Sequence, residues 1–117
     1  MSSHPLPTVI AEYFRSKDSV DPAFAEAAFH PDAVVYDNGE DLEVRGVEAI
    51  VQWMSETSSK YEVTSEVRSA EEIEGRCHVD VAVSGNFPGS PYQFEYRFLI
   101  QHDQIRELVI EPIGPIQ

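Results

Sequence analysis

The order of periodicities along the chain predicts an α+β fold, with three helices on the N-terminal side packed against a strongly curved antiparallel sheet. Three observations carry this. Apolar residues at Leu6, Val9, Ile10, Tyr13 and Phe14 form the i, i+3, i+4, i+7, i+8 stripe of an amphipathic helix. After Tyr61 the period drops to two. The strongest alternation then sets Tyr92, Phe94, Tyr96, Phe98 and Ile100 against Gln93, Glu95 and Arg97. A long polar-apolar alternation of this kind belongs to a sheet with one face on a core.

The elements follow in order. Residues 1–5 read as a disordered leader, the domain as residues 6–112 and the tail as residues 113–117. Pro7 sits where a first helical turn tolerates it. Asp21-Pro22 reads as a second helix start, an N-cap residue followed by proline at the first helical position. That helix is expected to run over Pro22 to Phe29, with Pro31 as its stop. A short strand, Ala33 to Tyr36, then runs into Asp37-Asn38-Gly39, and an acidic loop follows as far as Arg45. Gly46 opens a third helix whose apolar face is Val47, Ile50, Val51, Trp53 and Met54, ending at Ser58-Ser59. Four strands remain. One carries Val63, Ser65 and Val67, and the next Cys77, Val79, Val81 and Val83. The third is the Tyr92 to Ile100 run, and the last is Ile105 to Glu111. Between them lie a polar turn at Glu71 to Gly75, a Pro/Gly loop at Gly85 to Pro91 and a tight turn at His102-Asp103.

Whole-chain properties narrow the function. Eight Lys+Arg against 21 Asp+Glu leave a net charge of −13 over 117 residues. Such a chain repels phosphate backbones and anionic lipid, so neither nucleic acid nor a membrane is expected as a partner. No apolar run approaches the roughly 20 residues of a membrane span. Met1 to Pro7 lacks the basic and apolar regions of a signal peptide. The single cysteine, Cys77, excludes an internal disulfide and fits a reducing compartment, so a cytoplasmic location is expected. No metal is implied: the chain has no HExxH, no cysteine pair and no closely spaced His/carboxylate set. No cofactor is implied, and neither a GxSxG nor a glycine-rich phosphate loop occurs.

The run Asp32-Ala33-Val34-Val35, the Asp37 after it, Gly46 through Trp53 and the closing strands with Ile105 together resemble the NTF2-like superfamily, in its SnoaL-like branch. The loop Gly85 to Pro91, followed by Tyr96-Arg97-Phe98, looks like small bacterial members. The resemblance implies a conical α+β barrel, a deep pocket between sheet and helices, and a homodimer packed through the sheet. It does not imply one reaction, because that cone hosts isomerases, cyclases, dehydratases and binding modules. Ketosteroid isomerases offer a sharper comparison. They place a hydroxyl-donating tyrosine on the first helix and a general-base aspartate after the first strand, and Tyr13 and Asp37 match both positions at the family's spacing. The chemistry needs that pairing: a carboxylate takes a proton next to a carbonyl while a donor stabilises the oxyanion. The family's two further tyrosines fall on Phe29 and Met54, and its second donor, an aspartic acid, falls on Tyr96.

The expected catalytic set is therefore Asp37, Tyr13 and Tyr96. The expected ligand-binding set is Phe29, Trp53, Met54, Phe94, Phe98, Leu108 and Ile110, around a small, largely apolar molecule with a carbonyl or hydroxyl. Each has a plainer reading. Asp37-Asn38-Gly39 is also a turn signal, with the aspartate closing an Asx-turn. Tyr13 can be a core tyrosine, and Tyr96 one rung of an aromatic inner face. His30 reads as complementing a helix end. His78 and Asp80 share one face of their strand, and alternation alone leaves that face either pocket wall or outer surface. Glu40, Asp41 and Glu43 read as solvated loop charges, and Cys77 as an inert thiol.

Overall fold

The computed structural model describes residues 6–19, 26–61 and 63–116. Among the described residues, the elements follow in the order α1 (Thr8–Ser19), β1 (Phe29–Asp37), β2 (Leu42–Arg45), α2 (Val47–Tyr61), β3 (Thr64–Ile73), β4 (Arg76–Ser84), β5 (Tyr92–Gln101) and β6 (Gln104–Pro115). The strands form one sheet in the order β2-β1-β6-β5-β4-β3. The architecture is mixed α+β, with the helices against one face of a curved six-stranded sheet. The leader expected over residues 1–5 and the helix start expected at Asp21-Pro22 lie outside the described residues. Of the expected second helix, only residues 26–28 are described as helical.

In α1 the predicted stripe is the buried one: Ile10, Tyr13 and Phe14 are in the core. The Pro7 carbonyl accepts from the N–H of Ile10 at 3.0 Å and of Ala11 at 3.2 Å, which starts the helix. Gly46, at φ 90°, turns the chain into α2 and accepts the Ile50 N–H at 3.0 Å. Its own N–H donates to the Ala33 carbonyl at 2.9 Å, fixing the start of α2 against β1. Ile50 and Met54 then point into the core. The helix continues past Ser58-Ser59 to Tyr61.

Several strand expectations change. Phe29 opens β1 instead of closing a helix. The register against β6 jumps from Phe29↔Ile105 to Val34↔Glu107, so residues 30–33 bulge. Pro31 lies in that bulge, where its missing N–H costs no ladder bond. His30 lies in that bulge, two residues after the helical residues 26–28, and its Nδ1 accepts the Asp32 N–H at 3.0 Å. The sheet is also not wholly antiparallel, because β1 runs parallel to β6. Parallel neighbours need a long crossover, and here α2 and four strands, β2 to β5, supply it. The loop expected from Asn38 to Arg45 contains β2, which pairs antiparallel with β1 from Val34↔Arg45 to Asp37↔Leu42. Only Val44 of its four residues is buried. Glu43 lies on this strand and pairs with Arg45. The expected tail is strand as far as Pro115, which lies opposite Tyr92.

The meander matches its alternation. Val79, Val81 and Val83 of β4 lie opposite Tyr96, Phe94 and Tyr92 of β5, all on the inner face. His78 and Asp80 consequently face outward. His78 Nδ1 lies 3.4 Å from Glu95 Oε2, and Gln93 Nε2 donates to Asp80 Oδ1 at 2.7 Å. Arg97 joins that outer surface, pairing with Glu95 at 2.9 Å and Glu111 at 3.1 Å. Irregular pairings at Val67/Ser69, Gln93/Phe94 and Leu99/Ile100 help the sheet to bend around the helices.

Candidate functional site

The bend leaves a cavity of about 390 Å³ between the inner face and the helices, near the open end of β1 and the β4–β5 loop. Its floor is made of buried side chains: Tyr13 from α1, Met54 from α2, Val83 from β4, Tyr96 from β5 and Ile110 from β6. Trp53, Val63 and Phe94 form the walls. The rim is Gly39 and Glu40 from the β1–β2 turn, Phe87 and Pro88 from the β4–β5 loop, then Tyr92 and Pro112.

Asp37 is the one buried charged side chain among the described residues, with 7% of its surface exposed. It is the last residue of β1, held between Leu42 of β2 and Ile110 of β6. The Asn38 N–H donates to the Ile110 carbonyl at 3.0 Å, and the Glu40 N–H to the Asp37 carbonyl at 3.2 Å. Asp37 Oδ1 accepts the Gly39 N–H at 3.2 Å, which is an Asx-turn. The turn bond and the cavity are not exclusive, since a carboxylate has two oxygens and about four acceptor positions. Gly39 lies close against the site: a Cβ on it would be in ordinary contact, 3.4 Å from Asp37 Oδ1 and 3.7 Å from the Phe94 ring.

Seven of the ten residues expected at the site line this one cavity: Asp37, Tyr13, Tyr96, Trp53, Met54, Phe94 and Ile110. Phe29, Phe98 and Leu108 do not. They are fully buried in the core behind it. The Tyr13 ring packs against Phe29 at 5.8 Å and Phe98 at 5.4 Å between centroids, both near perpendicular. Those rings hold Tyr13 in place beside Tyr96, whose centroid is 6.1 Å away. Phe29 and Met54 have no hydroxyl, so neither supplies the further tyrosine that the isomerase comparison has at its position.

Gly39, Glu40, Val63, Val83, Phe87, Pro88, Tyr92 and Pro112 complete the lining without having been singled out from the sequence. Tyr92 and Pro112 continue the alternations of Phe94-Tyr96 and Leu108-Ile110, so the signal was there. Phe87 and Glu40 sit in turns, where no periodicity marks direction. Cys77 lies outside the lining, and burial, with a smaller push from Glu72, raises its thiol above the ordinary cysteine range. Among the described residues no three His, Cys, Asp or Glu side chains group as a metal site. Among the described residues no helix is long and apolar enough to cross a membrane.

The fold has counterparts among solved structures. A candidate polyketide cyclase from Sinorhizobium meliloti is 32% identical, with a TM-score of 0.84 over 91% of this chain and 95% of its own. The chain is a SnoaL-like member of the NTF2-like superfamily. More distant NTF2-like relatives share the fold alone. A protein with a ketosteroid isomerase-like fold from Catenulispora acidiphila is 14% identical, with a TM-score of 0.80 over 91% of this chain and 85% of its own. A candidate ketosteroid isomerase from Kribbella flavida is 7% identical, with a TM-score of 0.75 over 95% and 79%. No protein-family model and no curated protein matches the sequence.

Proposed function

We propose that this NTF2-like protein binds a small, largely apolar carbonyl compound and moves a proton next to that carbonyl, as a cofactor-free isomerase or cyclase. One observation carries the reading: a buried carboxylate and two tyrosines share a cavity whose remaining walls are mostly apolar or aromatic. Asp37 is the base. It takes a proton from the carbon beside the carbonyl, and the C–H electron pair moves through the new C=C bond onto oxygen as an enolate. Tyr13 and Tyr96 are the donors to that oxygen. In an isomerase the proton returns from Asp37 to a more distant carbon of the enolate. In a cyclase the enolate carbon attacks a second carbonyl of the same molecule, a C–C bond forms, and the proton ends on the new alkoxide. Phe94, Trp53, Met54 and Ile110 grip the apolar frame. A cytoplasmic homodimer joined through the outer face of the sheet completes the reading.

A second reading rests on the Gly39 N–H bond to Asp37 Oδ1. That bond accounts for an aspartate at this position without chemistry, and the protein would then be a ligand-binding or interaction module. Deuterium uptake beside the carbonyl of a panel of enolisable cyclic ketones and 5-ene ketones, followed by NMR in D2O, separates the two. The proton-transfer reading expects catalysed exchange that Asp37→Asn lowers by about 10²- to 10⁴-fold. Equal exchange by the variant removes Asp37 as base. Binding of these ketones with no exchange favours the module.

A further inference from the structure

The cavity has a charge character that neither a base nor an apolar grip requires. Its lining contains two carboxylates, Asp37 near the floor and Glu40 on the exposed rim, and no Lys, Arg or His among the described lining residues. Six of the lining side chains are aromatic: Tyr13, Trp53, Phe87, Tyr92, Phe94 and Tyr96. Three of them follow β5 from rim to floor as a continuous strip, with centroids 5.2 Å apart from Tyr92 to Phe94 and 6.4 Å from Phe94 to Tyr96. Aromatic faces carry the negative side of a quadrupole and attract cations. A cleft walled by low-dielectric groups also focuses the field of its own charges, in a chain of net charge −13. Every one of these contributions has the same sign.

We propose that the ligand of this cavity is a cation, a protonated amine or a quaternary ammonium on an apolar frame, and that Glu40 selects it at the rim. This rests on the pocket reading above and adds the charge class. Asp37 Oδ1 already accepts the Gly39 N–H. Glu40 lies three residues further along the same turn, with its N–H bonded to the Asp37 carbonyl, and the ring strip lines the same cavity as both carboxylates. A substrate lying along that strip puts its ammonium group at Glu40, Tyr92 and Phe87, and its carbonyl end toward Asp37 and Tyr96. The volume, about 390 Å³, is near the lower end of the roughly 300–1,000 Å³ typical of ligand pockets, which suits one ring with a short amine arm.

Trp53 is the only tryptophan in the sequence and lines the cavity, so its fluorescence reports occupancy directly. The probes are benzyltrimethylammonium, its neutral carbon isostere neopentylbenzene, and phenylacetate, titrated at low ionic strength with equilibrium dialysis alongside. The expected result is binding of the cation about tenfold more tightly than the isostere, with phenylacetate weakest. Glu40→Gln, checked for folding by circular dichroism, is expected to reduce the cation-to-isostere ratio about threefold or more, and added salt to reduce it in the intact protein. Equal affinity for cation and isostere overturns the proposal while leaving the pocket reading in place. An unchanged ratio in Glu40→Gln overturns the assignment to Glu40. No binding of any probe by either method overturns the pocket reading and this inference together.

Discussion

Replacing Asp37 by alanine and by asparagine separates its two roles, because the two changes remove different things. Alanine deletes the acceptor of the Gly39 N–H, a 3.2 Å bond in a partly buried turn. Leaving that donor unmet is expected to cost about 1–2 kcal/mol. With a urea slope of about 1.5 kcal/mol/M for a domain of this size, the unfolding midpoint falls by about 1 M. Asparagine keeps an oxygen in the same place and removes one negative charge from a chain of −13. Its midpoint is expected to equal or exceed that of the parent. Both variants lose proton-transfer activity, since neither has a carboxylate. The assay is urea unfolding followed by Trp53 fluorescence, paired with deuterium exchange on a ketone that the parent turns over. Two results refute the reasoning. If asparagine destabilises as much as alanine, the charge itself holds the turn and not the acceptor. If asparagine keeps the exchange rate, the carboxylate is not the base.

Three other predictions rest on the same structure. Phe98→Ala opens a hole beneath Tyr13 and Tyr96 at a fully buried position; it is expected to lower stability by about 3–5 kcal/mol in urea unfolding. Arg97→Ala removes pairs to Glu95 and Glu111 on a side chain about a third exposed, so its cost is expected to stay at or below about 1 kcal/mol. Sedimentation velocity on that variant also reads whether the outer face joins two copies, since a dimer held there weakens. Cys77 holds less thiolate than an ordinary cysteine at a given pH, through burial first and Glu72 second. Iodoacetamide is expected to modify it slowly at pH 8 in the native protein and at the rate of a free thiol in denaturant. Glu72→Gln is expected to speed the native reaction only slightly.

The residues that were hard to place share a cause. Leu42 to Arg45 has one buried side chain in four, so no alternation marks it as a strand. It exists because Asn38 to Asp41 turns the chain back along β1. Pro31 looked like a helix stop because proline disfavours helix before it. A bulge uses the same property, and only the pairing with β6 tells the two apart. Phe94 and Phe98 have the same parity on one strand, yet the first lines the cavity and the second lies under Tyr13. That difference is one of position along the strand, set by where α1 stops covering the sheet. Tyr92, two residues outside the pair, was within reach of the pattern and extends it to the rim.

From the sequence alone came the α+β class, the four-strand meander and the inward faces of α1 and β5, and from the family resemblance the expectation that Asp37, Tyr13 and Tyr96 belong to one site. These follow from local rules: a period of 3.6 or 2 says which side chains share a face, and a family pattern says which positions go together. The tertiary structure decided the parallel β1–β6 contact, the outward face of His78 and Asp80, the strand at the C-terminal end, and the division of the aromatics between core and cavity. A period has no outside. It groups residues around the axis of their own segment, and only packing against other segments decides which group meets the core, which meets water and which is left facing an unfilled space.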